Sequence, residues 1–168
     1  MKKLLSATAL FLIASMTINA QIKTFLQLDN IKGESAQADH KEWIDVISFQ
    51  QGMNNNSTAA TGSGAGAGKA VFQDLKIVKN IDRSTPSLFS SAANGRHIAS
   101  ASLDLVSNGK SIYVITLTDI VITSVTNSSQ NDSNTEEIHI AYGKISWEYK
   151  GDNFSSKEGW DLKGNRGF

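Results

Sequence analysis

From Gln21 onward, apolar and polar residues alternate in short runs separated by polar segments. A period of two is the mark of a strand with one face buried. "IKTFLQLD" from Ile22 and "WIDVISFQ" from Trp43 are rich in β-branched and aromatic residues and predict two strands, with "NIKGESAQADHKE" as a polar loop between them. The longest alternation is "SIYVITLTDIVITSVT". It puts Ile112, Val114, Thr116, Thr118, Ile120 and Ile122 on one face and Tyr113, Ile115, Leu117, Asp119 and Val121 on the other. Both faces carry apolar residues, which predicts a strand covered on each side, as in a sandwich, a barrel or a subunit interface.

Local signals place the connections. Asn108-Gly109 between two β runs tolerates the positive φ angles of a type I′ turn and predicts a hairpin of strands from about His97 and Ser111. The polar "NSSQNDSNTEE" is expected to be an exposed loop before the strand "EIHIAYGKISWEYK". In "STPSLFSSAANG", Thr85 can cap orphan amides, Pro86 suits the first helical position and Gly95 can end the helix in the left-handed region. Leu88 and Phe89 are expected to dock that helix on the sheet. Roughly six or seven strands, one short helix and no internal repeat give a mainly β single domain.

The 168 residues suffice for one domain with a real core. Sixteen basic side chains balance sixteen acidic ones, so no global field draws the protein to nucleic acid or an anionic membrane. Cysteine is absent, which removes disulfides, thiolate metal sites and a cysteine nucleophile. The start, "MKKLLSATALFLIASMTINA", has Lys2 and Lys3, an apolar run from Leu4 to Ile13 and small Ala20 before Gln21: a secretory signal pattern over 1–20, ahead of a domain at 21–168. Ile18 stands where a small residue is preferred, and an uncleaved anchor or a packed helix are the alternatives. Stable membrane insertion is not expected.

"TGSGAGAGKA", Thr61 to Ala70, has the composition of a phosphate-binding loop. The G-x-x-x-x-G-K-[ST] pattern fails, because Ser63 stands where the first glycine belongs and Ala70 where the metal-binding hydroxyl belongs. The following "AVFQDLKIVKNI" reads as strand instead of the required helix. A flexible connector with a solvated Lys69 is the better reading, and no cofactor is expected. His40, His97 and His139 are isolated in sequence and make no metal motif. Asp132, Asn134 and Glu136 resemble the opening of a calcium loop but lack its glycine and distal glutamate, and read as a solvated acidic loop. Asp119 and Glu148 are candidates for paired acid/base carboxylates, with salt bridges as the simpler role. The Asn-x-Ser sequons at Asn127 and Asn153 mark exposed loops.

Taken in order, "DNIKGES", "HKEWIDVISFQQG", "GAGAGKAVFQDLKIVKNID", "STPSLFSSAANGRHI", "TLTDIVITSV", "EEIHIAYGKISWEYK" and "GWDLKGN" resemble the hemolysin-coregulated protein (Hcp) family, the tube protein of the type VI secretion system, from about Phe25 to Asn165. The resemblance implies a compact β-barrel of two sheets with one helix at its side, related to phage tail tubes. It implies homohexameric rings that stack into a tube, with sheath, spike and effector proteins as partners and secretion as the outcome; no enzymatic activity is implied. It places the strand from Trp43 to Gln51 at the pore, making Ser48 and Gln50 candidate lumen contacts, and puts Gly66, Gly68 and Lys69 in a loop that reaches neighbouring subunits or the next ring. The N-terminal signal pattern departs from the family. It implies, as an alternative, an independently exported Hcp-like β-barrel binding module, periplasmic or extracellular, acting outside a tube. A nucleotide-dependent or hydrolytic enzyme is the third and weakest class.

Overall fold

The fold is given by a computed structural model, which describes residues 21–55, 69–130 and 133–168. The elements are β1 (Ile22–Leu28), β2 (Ile44–Gln50), β3 (Met53–Asn55), β4 (Ala70–Phe72), β5 (Leu75–Asn80), α1 (Thr85–Asn94), β6 (His97–Ser107), β7 (Lys110–Gln130), β8 (Ser133–Lys150), β9 (Ser155–Asp161) and β10 (Arg166–Gly167). The main sheet runs β10-β9-β8-β5-β2-β1-β6-β7, and a further β7–β8 pairing closes β8-β5-β2-β1-β6-β7 into a barrel. Closure removes the unpaired edges that an open sheet exposes. β9 and β10 continue from the far end of β8, and β3 and β4 form a separate two-stranded ribbon. More strands are present than the roughly six or seven expected from alternation alone, because β3, β4 and β10 are too short to show a period.

The barrel core is aliphatic. Leu26, Ile44, Leu75, Ile77, Leu103, Ile115, Leu117, Ile120, Ile122, Ile138, Ile140 and Ile145 are buried together. Burying one such side chain is worth about 1.5–3 kcal/mol, so the set accounts for a core that needs no disulfide.

One correction concerns the long strand. Ile115 and Leu117 are buried, and so are Ile120 and Ile122, so the inward set changes parity partway along β7. The neighbours do the same at the same level. β6 goes inward at Ile98 and then Ala101, and β8 at Tyr142 and then Ile145. These residues are in register across the three strands, Ile98 with Ile120 and Tyr142, Ala101 with Leu117 and Ile145. Each strand thus turns a corner through two consecutive outward residues, Ala99-Ser100, Thr118-Asp119 and Gly143-Lys144. Asp119 adopts φ 54°, a left-handed conformation that aspartate tolerates better than most residues. Gly143 leaves room for it, since an added Cβ would lie 3.1 Å from the Asp119 Cβ. The apparent two-faced apolarity of this strand therefore comes in part from one inner face read through a corner.

A second correction concerns "NSSQNDSNTEE". Its described residues are strand: β7 continues to Gln130 and β8 starts at Ser133, with Asn127, Ser128, Ser129 and Gln130 paired to Glu136, Thr135, Asn134 and Ser133. Backbone ladder bonds extend a polar arm that side-chain propensity does not announce. The hairpin at Asn108-Gly109 forms as expected, with φ 52° and 76°.

The helix also forms, with its N-cap at Ser84, Pro86 in the first turn and Gly95 left-handed at φ 60°. Thr85 serves differently from expectation. Its Oγ1 accepts from the Asp82 amide at 3.3 Å and the Lys79 ammonium at 3.3 Å, while Asp82 Oδ1 accepts from the Ser84 amide at 2.8 Å. Leu88 is buried in the barrel cluster, but Phe89 is 42% exposed. The buried positions Thr85, Leu88 and Ser91 recur every three residues, which leaves Phe89 at the edge of that stripe. Leu88→Ala should cost about 2–5 kcal/mol, and Phe89→Ser only about 0.5–1.5 kcal/mol, in thermal or urea unfolding.

Candidate functional site

Outward residues of β2, β5 and β8 form one continuous, mainly polar face, interrupted by Ile47 and Val78. β2 turns Ile44, Val46 and Phe49 toward the core, with a bulge between Val46 and Ser48, so Ile47, Ser48 and Gln50 all point outward and are exposed or nearly so. Both predicted lumen contacts, Ser48 and Gln50, therefore lie on this face. Across the ladder, Ser48 meets Val78 and Gln50 meets Lys76 on β5, and Lys76 meets His139 and Val78 meets Glu137 on β8. Two shallow depressions share Gln50 and Lys76: one is lined with Ser48 and Val78, the other with Gln73, Asp74 and His139.

The charges on this face are tied together. Lys76 Nζ donates to Glu137 Oε2 at 2.8 Å, and His139 Nε2 donates to Glu137 Oε1 at 2.9 Å. Those two hydrogen bonds, Lys76 first, hold the Glu137 carboxyl below the usual carboxylate range. Thr123 Oγ1 donates to Asp74 Oδ2 at 2.6 Å. At one end the face is anchored by aromatics: Phe72 packs against Trp147 and Trp160 at 6.3 Å between ring centroids and edge-on to Tyr142 at 6.5 Å. Tyr142 donates to the Gln73 carbonyl at 3.0 Å, and burial raises the pKa of its hydroxyl. These contacts fix the end of the β3–β4 ribbon where Phe72 pairs with Met53.

Lys69 is exposed and directly precedes β4. A strand there, where a phosphate loop needs a helix, removes the nucleotide reading. Gly66 and Gly68 lie outside the described residues, as do Asp132 and the segment 1–20.

The remaining candidates do not converge. Each histidine has its own carboxylate: His40 with Asp104 at 2.8 Å, His97 with Asp119 at 2.9 Å, His139 with Glu137. His40, isolated in sequence, is buried, stacked on Phe25 at 4.4 Å and edge-on to Trp43 at 4.7 Å, so it clamps the β1–β2 loop to the barrel. Asp119 and Glu148 do not form an acid/base pair. Asp119 aligns with Gly143, five residues or about 16 Å of strand from Glu148, and Glu148 lies opposite Lys157 on β9 with its carboxylate 3.9 Å from the ammonium. Among the described residues no group of three histidines or carboxylates is placed to hold a metal ion. No helix among them is long and apolar enough to cross a membrane.

One charged group escaped sequence reasoning. Lys79 is fully buried, with its ammonium 2.8 Å from the Asn80 carbonyl, 2.8 Å from Asp82 Oδ1 and 3.0 Å from Glu136 Oε1. The last contact has ion-pair distance but not hydrogen-bond angles, and both Glu136 oxygens lack a hydrogen-bond partner, so it is charge against charge. Glu136 is thus a core residue and not part of a solvated acidic loop. The signal was present in "LKIVKNID": Lys79 falls on the inward phase of Leu75 and Ile77, with Asp82 three residues on.

Comparison with known proteins bears on the whole barrel. The family model described as "Type VI secretion system effector, Hcp" matches residues 25–149. The chain is 31% identical over 157 residues to Protein hcp1 of Pseudomonas aeruginosa, covering 86% of this chain and 97% of that one. The crystal structure of Hcp1 from Salmonella typhimurium superposes with a TM-score of 0.79 at 30% identity, covering 89% of this chain and all of the other. A structure described as a type six secretion system protein gives a TM-score of 0.81 at 27% identity over 88% of this chain.

Proposed function

Since the chain belongs to the Hcp family of the type VI secretion system, we propose that it is a tube subunit: hexameric rings of this barrel stack into an exported tube whose lumen carries effector proteins. The observation that carries this reading is that the family match spans the closed barrel and includes both the outward β2–β5–β8 face and the ribbon beside it. In this arrangement the β2–β5–β8 face lines the lumen, with Ser48 and Gln50 in contact with cargo. The β3–β4 ribbon and Lys69, with Gly66 and Gly68 beyond them, reach a neighbouring subunit or the next ring. A mainly polar, ion-paired lining, with Ile47 and Val78 as isolated apolar positions, lets folded or extended cargo pass without the adhesion that a large apolar patch would produce. Sheath and spike proteins are the further partners. The role is structural, and its output is secretion.

Ring formation is tested on residues 21–168 by size-exclusion chromatography with light scattering. The expected mass is that of a hexamer; a monomer at high concentration contradicts the proposal.

The basic start and apolar run at 1–20 favour a second reading, export by the general route as a ring acting outside a sheath-driven tube. Mature protein recovered from its own cell is then expected to begin at Gln21. Retention of Met1 removes this second reading.

A further inference from the structure

We infer that the outer edge of β9 is a strand-addition site for an extended segment of another protein, and that this chain's own Arg166–Phe168 occupies part of it as a competing stand-in. β9 is appended to β8 outside the closed barrel, so closure does not remove its free edge. On that edge Arg166 pairs with Asp161 and Gly167 with Trp160, and the Phe168 amide donates to the Gly159 carbonyl at 3.2 Å. The pairing goes no further. Ser155, Ser156, Lys157 and Glu158, the rest of this seven-residue strand, are exposed and have no ladder partner on this side among the described residues. Because Gly159 turns its carbonyl to this edge, alternation turns the backbone groups of Lys157 and Ser155 the same way. Their amides and carbonyls are open to an incoming strand.

The seated segment shows what the site takes. The Phe168 ring lies against the Gly159 backbone, so close that a Cβ added at Gly159 would be 2.5 Å from the ring. Glycine there makes a floor for an aromatic side chain. The ring is still 66% exposed, and a segment held by so few backbone bonds opens readily. Continuing the register, the residue after the aromatic stands opposite Glu158, and the next stands opposite Lys157, whose ammonium is only loosely paired to Glu148 at 3.9 Å. Opposite charges facing each other across a ladder are favourable. The site therefore fits an antiparallel segment with an aromatic residue over Gly159, a basic one opposite Glu158 and an acidic one opposite Lys157. Main-chain bonds supply the affinity, while the glycine floor and the two charges supply the selectivity. None of this depends on which face of the barrel lines a lumen.

The test uses residues 21–168 and the same domain carrying Phe168→Ala, with fluorescein-labelled Asn-Arg-Gly-Phe-Lys-Glu-Thr-Val as the probe in anisotropy titrations. Removing the ring is expected to tighten probe binding about tenfold, since the tethered segment competes at high effective concentration. Replacing the probe's phenylalanine with alanine should weaken its binding to the Phe168→Ala domain about tenfold, the effect of losing one aromatic anchor. Adding Gly159→Val to that domain removes the probe's seat, and circular dichroism should show the fold unchanged because no ring lies there to be displaced. Bound probe should slow hydrogen exchange at the Ser155 and Lys157 amides. A chain shortened to 21–165 should bind the probe as the Phe168→Ala domain does; if it does not fold, the comparison rests on Phe168→Ala alone. Equal affinity with and without the Phe168 ring, binding that survives Gly159→Val, or unprotected Ser155 and Lys157 amides overturns the inference. So does self-association of the Phe168→Ala domain through β9 in place of probe binding, seen by light scattering, which would make a second copy the occupant.

Discussion

Replacing Lys79 with methionine will destabilise the domain by about 3–5 kcal/mol, the usual cost of leaving buried charges without their partner. At the size of this domain that is a fall in Tm of about 10 °C. Three elements meet on the Lys79 ammonium: Asp82 and Thr85 at the start of α1, the Asn80 carbonyl at the end of β5, and Glu136 where the polar arm joins the barrel. Lys79 and Glu136 are both 0% exposed and stand opposite each other in the β5–β8 ladder. Without the ammonium, Glu136 faces apolar surroundings as an uncompensated anion. Asp82 keeps its bonds from Ser84 and suffers less. The double variant Lys79→Met with Glu136→Leu should therefore recover most of the loss, because apolar replacement of both partners in a buried pair is often neutral. Urea unfolding of the single and double variants measures both effects; a single variant within about 1 kcal/mol of the parent would contradict the role given to this lysine.

Gly33→Ala should cost as much as ordinary core overpacking, about 1–3 kcal/mol, or more because the obstruction is backbone. An added Cβ would run into the Trp43 carbonyl group and the Ile44 Cα, neither of which can rotate away. The close approach exists because the β1–β2 loop folds back on itself. The Gly33 amide donates to the Glu42 carbonyl at 2.8 Å, Ser35 to Trp43 at 2.9 Å and Glu42 to Ser35 at 2.9 Å. Lys32 and Arg83 both hold the Glu42 carboxylate, at 2.8 and 3.1 Å, joining this loop to the turn before α1. Displacing it would withdraw His40 from Asp104 and strip cover from Phe25. Hydrogen exchange should show lost protection at the Ser35 and Glu42 amides together with the drop in Tm; unchanged protection there would contradict the packing described.

Elements set by local chemistry were legible in the sequence. The Asn108-Gly109 turn and the left-handed Gly95 depend on a few neighbouring residues, and both appear where expected. The corner at Asp119 was not legible, because its outward pairs are small or polar residues that fit either phase of a strand. The arm at Asn127 to Gln130 was hidden for the opposite reason: its backbone ladder is regular, while its side chains have turn-like composition. Glu136 was assigned to solvent by residue type, and Lys79 was not singled out, although the alternation around it pointed inward. In the candidate site, Ser48 and Gln50 were placed by family resemblance and do lie on one outward face. Lys76, Glu137 and His139 were missed as a group, because only the β5–β8 register brings such distant stretches of the chain into contact.

Whether the β2–β5–β8 face turns to the lumen of a ring can be read directly by spin labelling, because the chain has no cysteine of its own. A nitroxide on Ser48→Cys is compared with one on Ser100→Cys, which lies on β6, across the barrel from β5. In a six-fold ring each label gives distances in a ratio of about 1 to 1.7 to 2 by symmetry. Pulsed electron-electron resonance should show that series for both sites, with the Ser48 series shorter because it lies nearer the axis. A shorter series at Ser100 would turn the barrel the other way, and no intermolecular distances at either site would remove the ring.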